Sequence, residues 1–199
     1  MPATDIVLRF AYPPPETNSD FRTFNVYRVS EESTEQVELY KVHIIAAPSA
    51  TVLLMITQFY HPNTGMPIGG TTFHRKNLNT MKWETAGEIE WTSNTNARIY
   101  FGIDEVSIRD LRKPKNANSK SRRFKASGSE YKWKIAEKNT DLLKKIMVRP
   151  QCVDSRGRTV ATWGQAEQTL RVEGRVGSIL DRIVVTCLLH IWMRRQGQW

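Results

Sequence analysis

The chain has 199 residues, a formal net charge of +9 at pH 7, two cysteines and 40% hydrophobic residues. This length suits a single domain with a sizeable core, and the two cysteines exclude a disulfide framework. The N-terminus lacks the basic and apolar regions of a secretory signal, which predicts a cytoplasmic protein, with a nuclear or membrane-peripheral location as alternatives. The positive charge favours phosphates, anionic lipid headgroups or acidic proteins, unless it only keeps the protein soluble.

Short strands account for most of the chain. Alternating and β-branched segments predict, in chain order, strands at Asp5–Phe10, Phe24–Val29, Gln36–Ile45, Val52–Phe59, Ile68–His74, Glu88–Trp91, Arg98–Phe101, Glu105–Ile108, Arg122–Ala126, Tyr131–Ile135, Leu142–Val148, Thr159–Trp163 and Thr169–Glu173. A basic loop spans Arg109–Ser121, and a hairpin turn is predicted at Ser127–Ser129. About a dozen strands with turn signals between them are typical of an all-β barrel or sandwich.

The segment Ser178–Gln196 predicts a helix that is apolar on almost every side. Such a helix must be buried in a protein core or in a membrane. Its uncharged part is shorter than the roughly 20 apolar residues that a membrane span needs, so we expect a core helix and no transmembrane span. Ser178 is a candidate N-cap, Asp181 lies in the first turn, and Arg194 and Arg195 occupy the last turn.

A single apolar helix after a long series of strands predicts a mainly β fold, a closed antiparallel barrel around its own C-terminal helix. We expect one domain over residues 1–199. Residues 1–20 are expected to form a loosely attached N-terminal segment, because Pro13–Pro15 blocks strand pairing there.

Four stretches of sequence resemble a known family. They are Ala86–Trp91 (AGEIEW), Ile99–Gly102 (IYFG), Arg123–Lys134 (RFKASGSEYKWK) and Leu180–Thr186 (LDRIVVT). In this order they resemble an uncharacterised family of mushroom-forming fungi that is similar to the Tubby-like group. That group comprises Tubby C-terminal domains, plant LURP-one-related proteins and phospholipid scramblases.

The resemblance covers most of the chain from about Tyr40 to Arg195. It implies a closed barrel of about twelve strands around a central hydrophobic helix. Tubby domains bind phosphoinositides and scramblases are membrane-associated, so the resemblance implies a non-enzymatic domain that binds an anionic ligand or a membrane surface. The fungal family carries no activity over to this chain.

The basic segment is the main candidate binding site. Eight basic residues and one acidic residue, Asp110, lie between Arg109 and Lys125, and two more lysines follow. Converging cations bind phosphate oxygens, so we expect an anionic lipid or phosphate-bearing ligand on one electropositive face. The candidate residues are Arg109, Arg112, Lys113, Lys115, Lys120, Arg122, Arg123, Lys125, Lys132 and Lys134. The alternative is a solvated loop whose charges bind nothing specific.

Nucleic acid is disfavoured as the partner. Single-strand binders expose aromatic platforms between their cations, whereas Phe124, Tyr131 and Trp133 alternate along strands and are expected in the barrel. The chain also lacks the sequence motifs of the common nucleic-acid-binding modules.

A second hypothesis is an enzyme or carrier with a cavity between barrel and helix. Its lining would come from Glu88, Glu90, Tyr100, Trp133, His190 and Trp192. Glu88 and Glu90 share a strand face and could do acid–base chemistry, but exposed strands carry such pairs routinely. His61 and His74 flank one predicted hairpin without further ligands, so no metal site and no cofactor are assigned. We therefore favour a non-enzymatic domain.

Overall fold

The computed structural model describes residues 4–14, 24–30, 36–45, 70–93, 96–111, 121–138, 147–195 and 197. Within these ranges the chain forms twelve strands, followed by a 3-10 helix and a long C-terminal helix. The strands are β1 (Ile6–Ala11), β2 (Phe24–Val29), β3 (Gln36–Ile45), β4 (Gly70–Lys76), β5 (Trp83–Ser93), β6 (Asn96–Phe101), β7 (Asp104–Ser107), β8 (Arg122–Ala126), β9 (Ser129–Lys138), β10 (Met147–Asp154), β11 (Thr159–Gly164) and β12 (Thr169–Val172).

All twelve strands belong to one antiparallel sheet, with the order β7-β6-β5-β4-β3-β2-β1-β12-β11-β10-β9-β8. The prediction of a mainly β, antiparallel fold with a C-terminal helix is thereby confirmed. The sheet is not closed by hydrogen bonds, since its end strands β7 and β8 do not pair within the described residues. A four-residue helix, α1 (Ile108–Leu111), follows β7 and contacts β6, β7 and β8.

The sheet curls around the C-terminal helix α2 (Leu180–Arg195). Twelve strands laid flat would span about 50 Å, several times the width of a helix. Yet Trp91 of β5 lies 5.9 Å from Trp192 of α2, and Trp133 of β9 lies 5.6 Å from His190, measured between ring centroids. Strands near opposite ends of the sheet therefore reach adjacent positions on one helix, which requires strong curvature.

Twelve of the sixteen residues of α2 are buried, as its all-round apolar sequence predicts. The segment Gly174–Arg195 is long and apolar enough to cross a membrane, but 78% of its most apolar 18-residue stretch is buried inside the protein. That burial is what a core helix requires. Cys187 lies among the buried residues, as expected for a small hydrophobe.

The start of α2 differs from the prediction. Ser178 belongs to a 3-10 helix, Gly174–Ile179, and does not cap α2. Asp181 does lie in the first turn, with Arg194 and Arg195 in the last. Gly197 has a φ of +65° and donates its backbone N–H to the Arg194 carbonyl, so it ends the helix.

Other boundaries also differ from the sequence prediction. The strand expected at Leu142–Val148 overlaps β10, Met147–Asp154, only in its last two residues, because residues 142–146 lie outside the described residues. Pro150 lies beyond the last pair of β10 with β11 and so disrupts no pairing on that side. Ile108, expected in a strand, begins α1. The segment 1–20 is not loose throughout, because β1 pairs with β2 and β12 in the middle of the sheet. The strand expected at Val52–Phe59 lies outside the described residues.

A buried hydrogen bond joins the sheet to α2. The indole Nε1 of Trp133 donates to the Thr186 hydroxyl at 3.0 Å, and this hydroxyl donates to the Arg182 carbonyl at 2.7 Å. Trp133 and Thr186 are 1% and 2% exposed. The indole N–H therefore depends on Thr186 to avoid the cost of burial without an acceptor.

Thr186→Val keeps the side-chain shape and removes the acceptor of Trp133. We expect it to lower the free energy of unfolding by about 1–3 kcal/mol, the typical cost of a buried unsatisfied donor. Urea unfolding of Thr186→Val, Trp133→Phe and the double variant forms a double-mutant cycle. Thr186→Val should cost much less in the Trp133→Phe background, where no indole N–H needs an acceptor. An equal cost in both backgrounds would contradict the bond's role.

Candidate functional site

A basic face lies on the outer side of β8, β9 and β10. Trp133 and Cys152 belong to the core on the inner side of the sheet, so their strand neighbours point outward. Arg123 pairs with Lys132 across β8 and β9, and Lys134 pairs with Gln151 of β10. We define the basic face as Arg123, Lys125, Lys132, Lys134 and Arg149.

The positive charge of this face is only partly compensated. Glu130 is its one acidic residue within the described strands, and it bonds Arg123 at 2.7 Å. Lys132 and Lys134, both half-buried, make no ion pair with any described residue. Lys132 also lies directly opposite Arg123, whose charge Glu130 offsets.

The structure does not bring all the predicted basic residues to this face. Arg122 pairs with the buried Trp133, so it lies on the inner side of β8, next to the Ser121 carbonyl that its guanidinium contacts at 3.2 Å. Arg109 is exposed on α1. The other four predicted residues, Arg112, Lys113, Lys115 and Lys120, lie outside the described residues. Arg149 is not among the predicted residues. The register of β10 with β9 places it opposite Ala136, on the same side of the sheet as Lys132 and Lys134.

The six residues of the alternative cavity are divided between the two sides of the sheet. Glu88, Glu90 and Tyr100 point outward, because Ile89 and Ile99 between them are fully buried in the core. Trp133, His190 and Trp192 point inward and pack in aromatic contacts. These six residues therefore do not surround a common space.

The outward carboxylates belong to a separate polar cluster. The Tyr100 hydroxyl donates to Glu90 at 3.1 Å, and Arg98 pairs with Glu105 at 3.7 Å. The groups lie on β5, β6 and β7, with Glu88 exposed beside them. This arrangement is a hydrogen-bonded surface on the outer side of the described strands β5, β6 and β7.

His190 is fully buried in the C-terminal half of α2. Burial is the main cause that lowers the pKa of His190 to about 3, and the positive charges of Arg194 and Arg122 act in the same direction. The imidazole is therefore neutral near pH 7. The neutral ring packs against Trp133 in the core, and protonating it there destabilises the folded state.

A polar cluster anchors the other end of α2. The Asp181 carboxylate accepts a hydrogen bond from Tyr40 at 2.6 Å and pairs with Arg75 at 2.9 Å. Tyr40 is completely buried; burial, followed by the charge of Asp181, raises its pKa well above the usual value. Arg182 pairs with Asp104 at 2.6 Å and lies over the Phe101 ring. These bonds fix the first turn of α2 to strands β3, β4 and β7.

A shallow pocket of about 280 Å³ lies beside this cluster. Its lining joins the start of β5 to the turn between β8 and β9, through Thr85 and Ser127 respectively. Asp181 and Arg182 also line it, but both are already in ion pairs.

Within the described residues no three His, Cys, Asp or Glu side chains form a metal-binding group. His61 lies outside the described residues.

The described residues define a mainly β protein with a single curved antiparallel sheet and a C-terminal helix buried in its core. Residues 18–196 match the family of unknown function DUF6593, and the chain belongs to that family. Neither a curated protein nor a solved structure matches the chain.

His190 predicts how stability depends on pH. Its pKa is lower in the folded protein than the value of about 6.5 expected in the unfolded chain, so the unfolded chain binds more protons between these values. Stability should therefore fall as pH decreases from about 6.5 towards 3, by up to about 1.4 kcal/mol per pH unit from this group.

Urea unfolding at a series of pH values checks this dependence. His190→Gln should flatten the slope in that window. Parallel slopes for wild type and His190→Gln would show that His190 is not the group that titrates.

Proposed function

We propose that this protein is a non-enzymatic domain that binds anionic, phosphate-bearing lipid surfaces through its basic face. The observation that carries the proposal is the cluster of five cations against one carboxylate on the outer side of β8–β10. Such a cluster on rigid paired strands presents several cations to one plane. A membrane of anionic headgroups offers the matching geometry.

Lys132 and Lys134 are central to the proposed surface. They alternate along β9, so both project from the same side about 7 Å apart. Their half-buried stems are held by the strand and their charges are not neutralised by described neighbours. Little conformational entropy is lost when such side chains meet a headgroup phosphate.

We further propose that the sheet acts as a closed shell, with α1 sealing the gap between β7 and β8. Contacts of α1 with strands at both ends of the sheet support this, as do buried Ile108 and Leu111 in its sequence. The resemblance to Tubby-like domains supports the same architecture and the same class of anionic lipid ligand. A filled interior would direct binding to the outside of the shell.

Co-sedimentation with vesicles tests the proposed function. The probes are phosphatidylcholine vesicles with a minor component of phosphatidylserine, or of a phosphoinositide. Lys132→Gln with Lys134→Gln should weaken binding by about 30-fold at low ionic strength, since each cation near an anionic membrane contributes about 1 kcal/mol. Raising the salt concentration should weaken wild-type binding and reduce the difference.

The matched control is Arg9→Gln with Arg171→Gln. Both arginines lie on the outer side of the same sheet, on β1 and β12, and the control removes the same charge. It should reduce binding far less than the lysine pair. Equal losses would show that net charge alone drives association, and unchanged binding of the lysine variant would exclude the basic face.

A further inference from the structure

The large apolar side chains that the described residues leave exposed gather at one end of the sheet. They are Leu78, Met81, Trp83 and Ile103, with exposed fractions of 42%, 60%, 36% and 101%. Leu78 and Met81 lie in the turn between β4 and β5, and Trp83 begins β5. Ile103 lies in the turn between β6 and β7. Because neighbouring strands are antiparallel, these two turns lie towards the same end of the sheet, and Gly102 beside Ile103 lines the same pocket as Thr85, two residues along β5 from Trp83.

Polar hydrogen bonds hold the first of these turns rigid. The Asn77 side-chain oxygen accepts the backbone N–H groups of Asn79 and Thr80 at 3.0 and 3.2 Å, and the Asn77 amide donates to Glu84 at 2.7 Å. The Asn77 N–H donates to the Lys82 carbonyl at 2.8 Å. The polar residues thus build the turn, while Leu78 and Met81 contribute nothing to the core and point to solvent.

Met81 is an unexpected residue for its position. Its φ is +58°, in the left-handed region where glycine and asparagine are favoured and an unbranched apolar side chain is uncommon. The chain thus places an exposed apolar group where both solvation and backbone conformation favour another residue. A role in binding accounts for both features together.

Three lysines lie around the Trp83 side of this tip. The Lys41 ammonium, which also pairs with Glu38 at 3.6 Å, lies 4.6 Å from the centre of the Trp83 ring. Lys76 and Lys82 flank the turn at the ends of β4 and β5, and Glu84, the carboxylate of this turn, bonds Asn77. An apolar tip with lysines at its base matches the boundary of an anionic membrane, where apolar groups enter the acyl region and cations stay among headgroups. A tryptophan is also favoured at that depth.

We propose that the tip formed by Leu78, Met81, Trp83 and Ile103 inserts into the interface of an anionic lipid bilayer. This inference rests on the proposed function and adds the element that enters the lipid. The tip and the turn from which the basic face begins lie near the same end of the molecule, since Thr85 and Ser127 line the same pocket. Thr85 is two residues from Trp83, and Ser127 is two residues from Lys125.

The experiment follows Trp83 fluorescence and vesicle binding together. Wild-type protein should show a blue shift with phosphatidylcholine–phosphatidylserine vesicles and quenching by brominated acyl chains, and Trp83→Phe should abolish both signals. Leu78→Asn with Met81→Asn should weaken vesicle binding by about tenfold or more, as expected from the loss of buried apolar area. Binding of soluble inositol hexakisphosphate should be unchanged, because the tip contacts acyl chains and not phosphate.

Met81 supplies a matched pair of variants. Met81→Leu keeps the apolar surface and should retain vesicle binding, whereas Met81→Asn should weaken it without lowering the melting temperature, since asparagine suits a positive φ. A variant that binds less while folding at least as well excludes misfolding as the cause.

The outcomes separate the two proposals. If the tip variants bind vesicles like wild type and Trp83 emission does not shift, the membrane tip is overturned, and the surface fits an apolar protein partner instead. If wild-type protein binds neither vesicles nor inositol hexakisphosphate, the proposed function itself fails. Weakened vesicle binding with unchanged inositol hexakisphosphate binding supports both.

Discussion

The fold depends on one constraint, which is that α2 has no side suited to water. Its buried residues surround the helix axis and include the polar Thr186 and His190. One layer of strands covers only one side of a helix, so the sheet must be wide and strongly curved to enclose it. Trp91 and Trp133, on strands far apart in the sheet, contact Trp192 and His190, which are two residues apart and so point to opposite sides of α2.

Enclosing the helix leaves the inner side of the sheet little freedom for other roles. Aromatic rings fill it, and the buried indole nitrogens of Trp91 and Trp133 are satisfied by threonine hydroxyls at 2.9 and 3.0 Å. Charged side chains therefore lie mainly on the outer strand faces, in the turns and at the ends of α2. The separation of Glu88 and Glu90 from His190 follows directly from this division.

The sequence predicts those parts of the molecule that periodicity encodes. Apolar residues on almost every side of α2 indicate that this helix is buried. The bounds of β2 and β3 also agree with the predicted ones. Alternation along β8 puts Arg122 and Arg123 on opposite sides of the sheet, but charge content alone does not show which one faces outward; the pairing of Arg122 with the buried Trp133 shows that it is Arg123. The apolar tip was also missed, since Leu78 and Met81 follow no strand or helix period and only solvent exposure distinguishes them.

The proposed surfaces give the molecule one orientation on a membrane. Lys41, Lys76 and Lys82 lie around the tip, while Glu88 lies five residues further along β5 than Trp83, about 17 Å from the tip. In the proposed membrane-binding mode, an anionic surface would attract these lysines and repel Glu88, which favours an orientation with the Trp83 side of the tip towards lipid. The rigid turn then adds apolar burial at little entropic cost. The anchored start of α2 connects β3 and β4 beside the tip to the core, through the bonds of Asp181 with Tyr40 and Arg75.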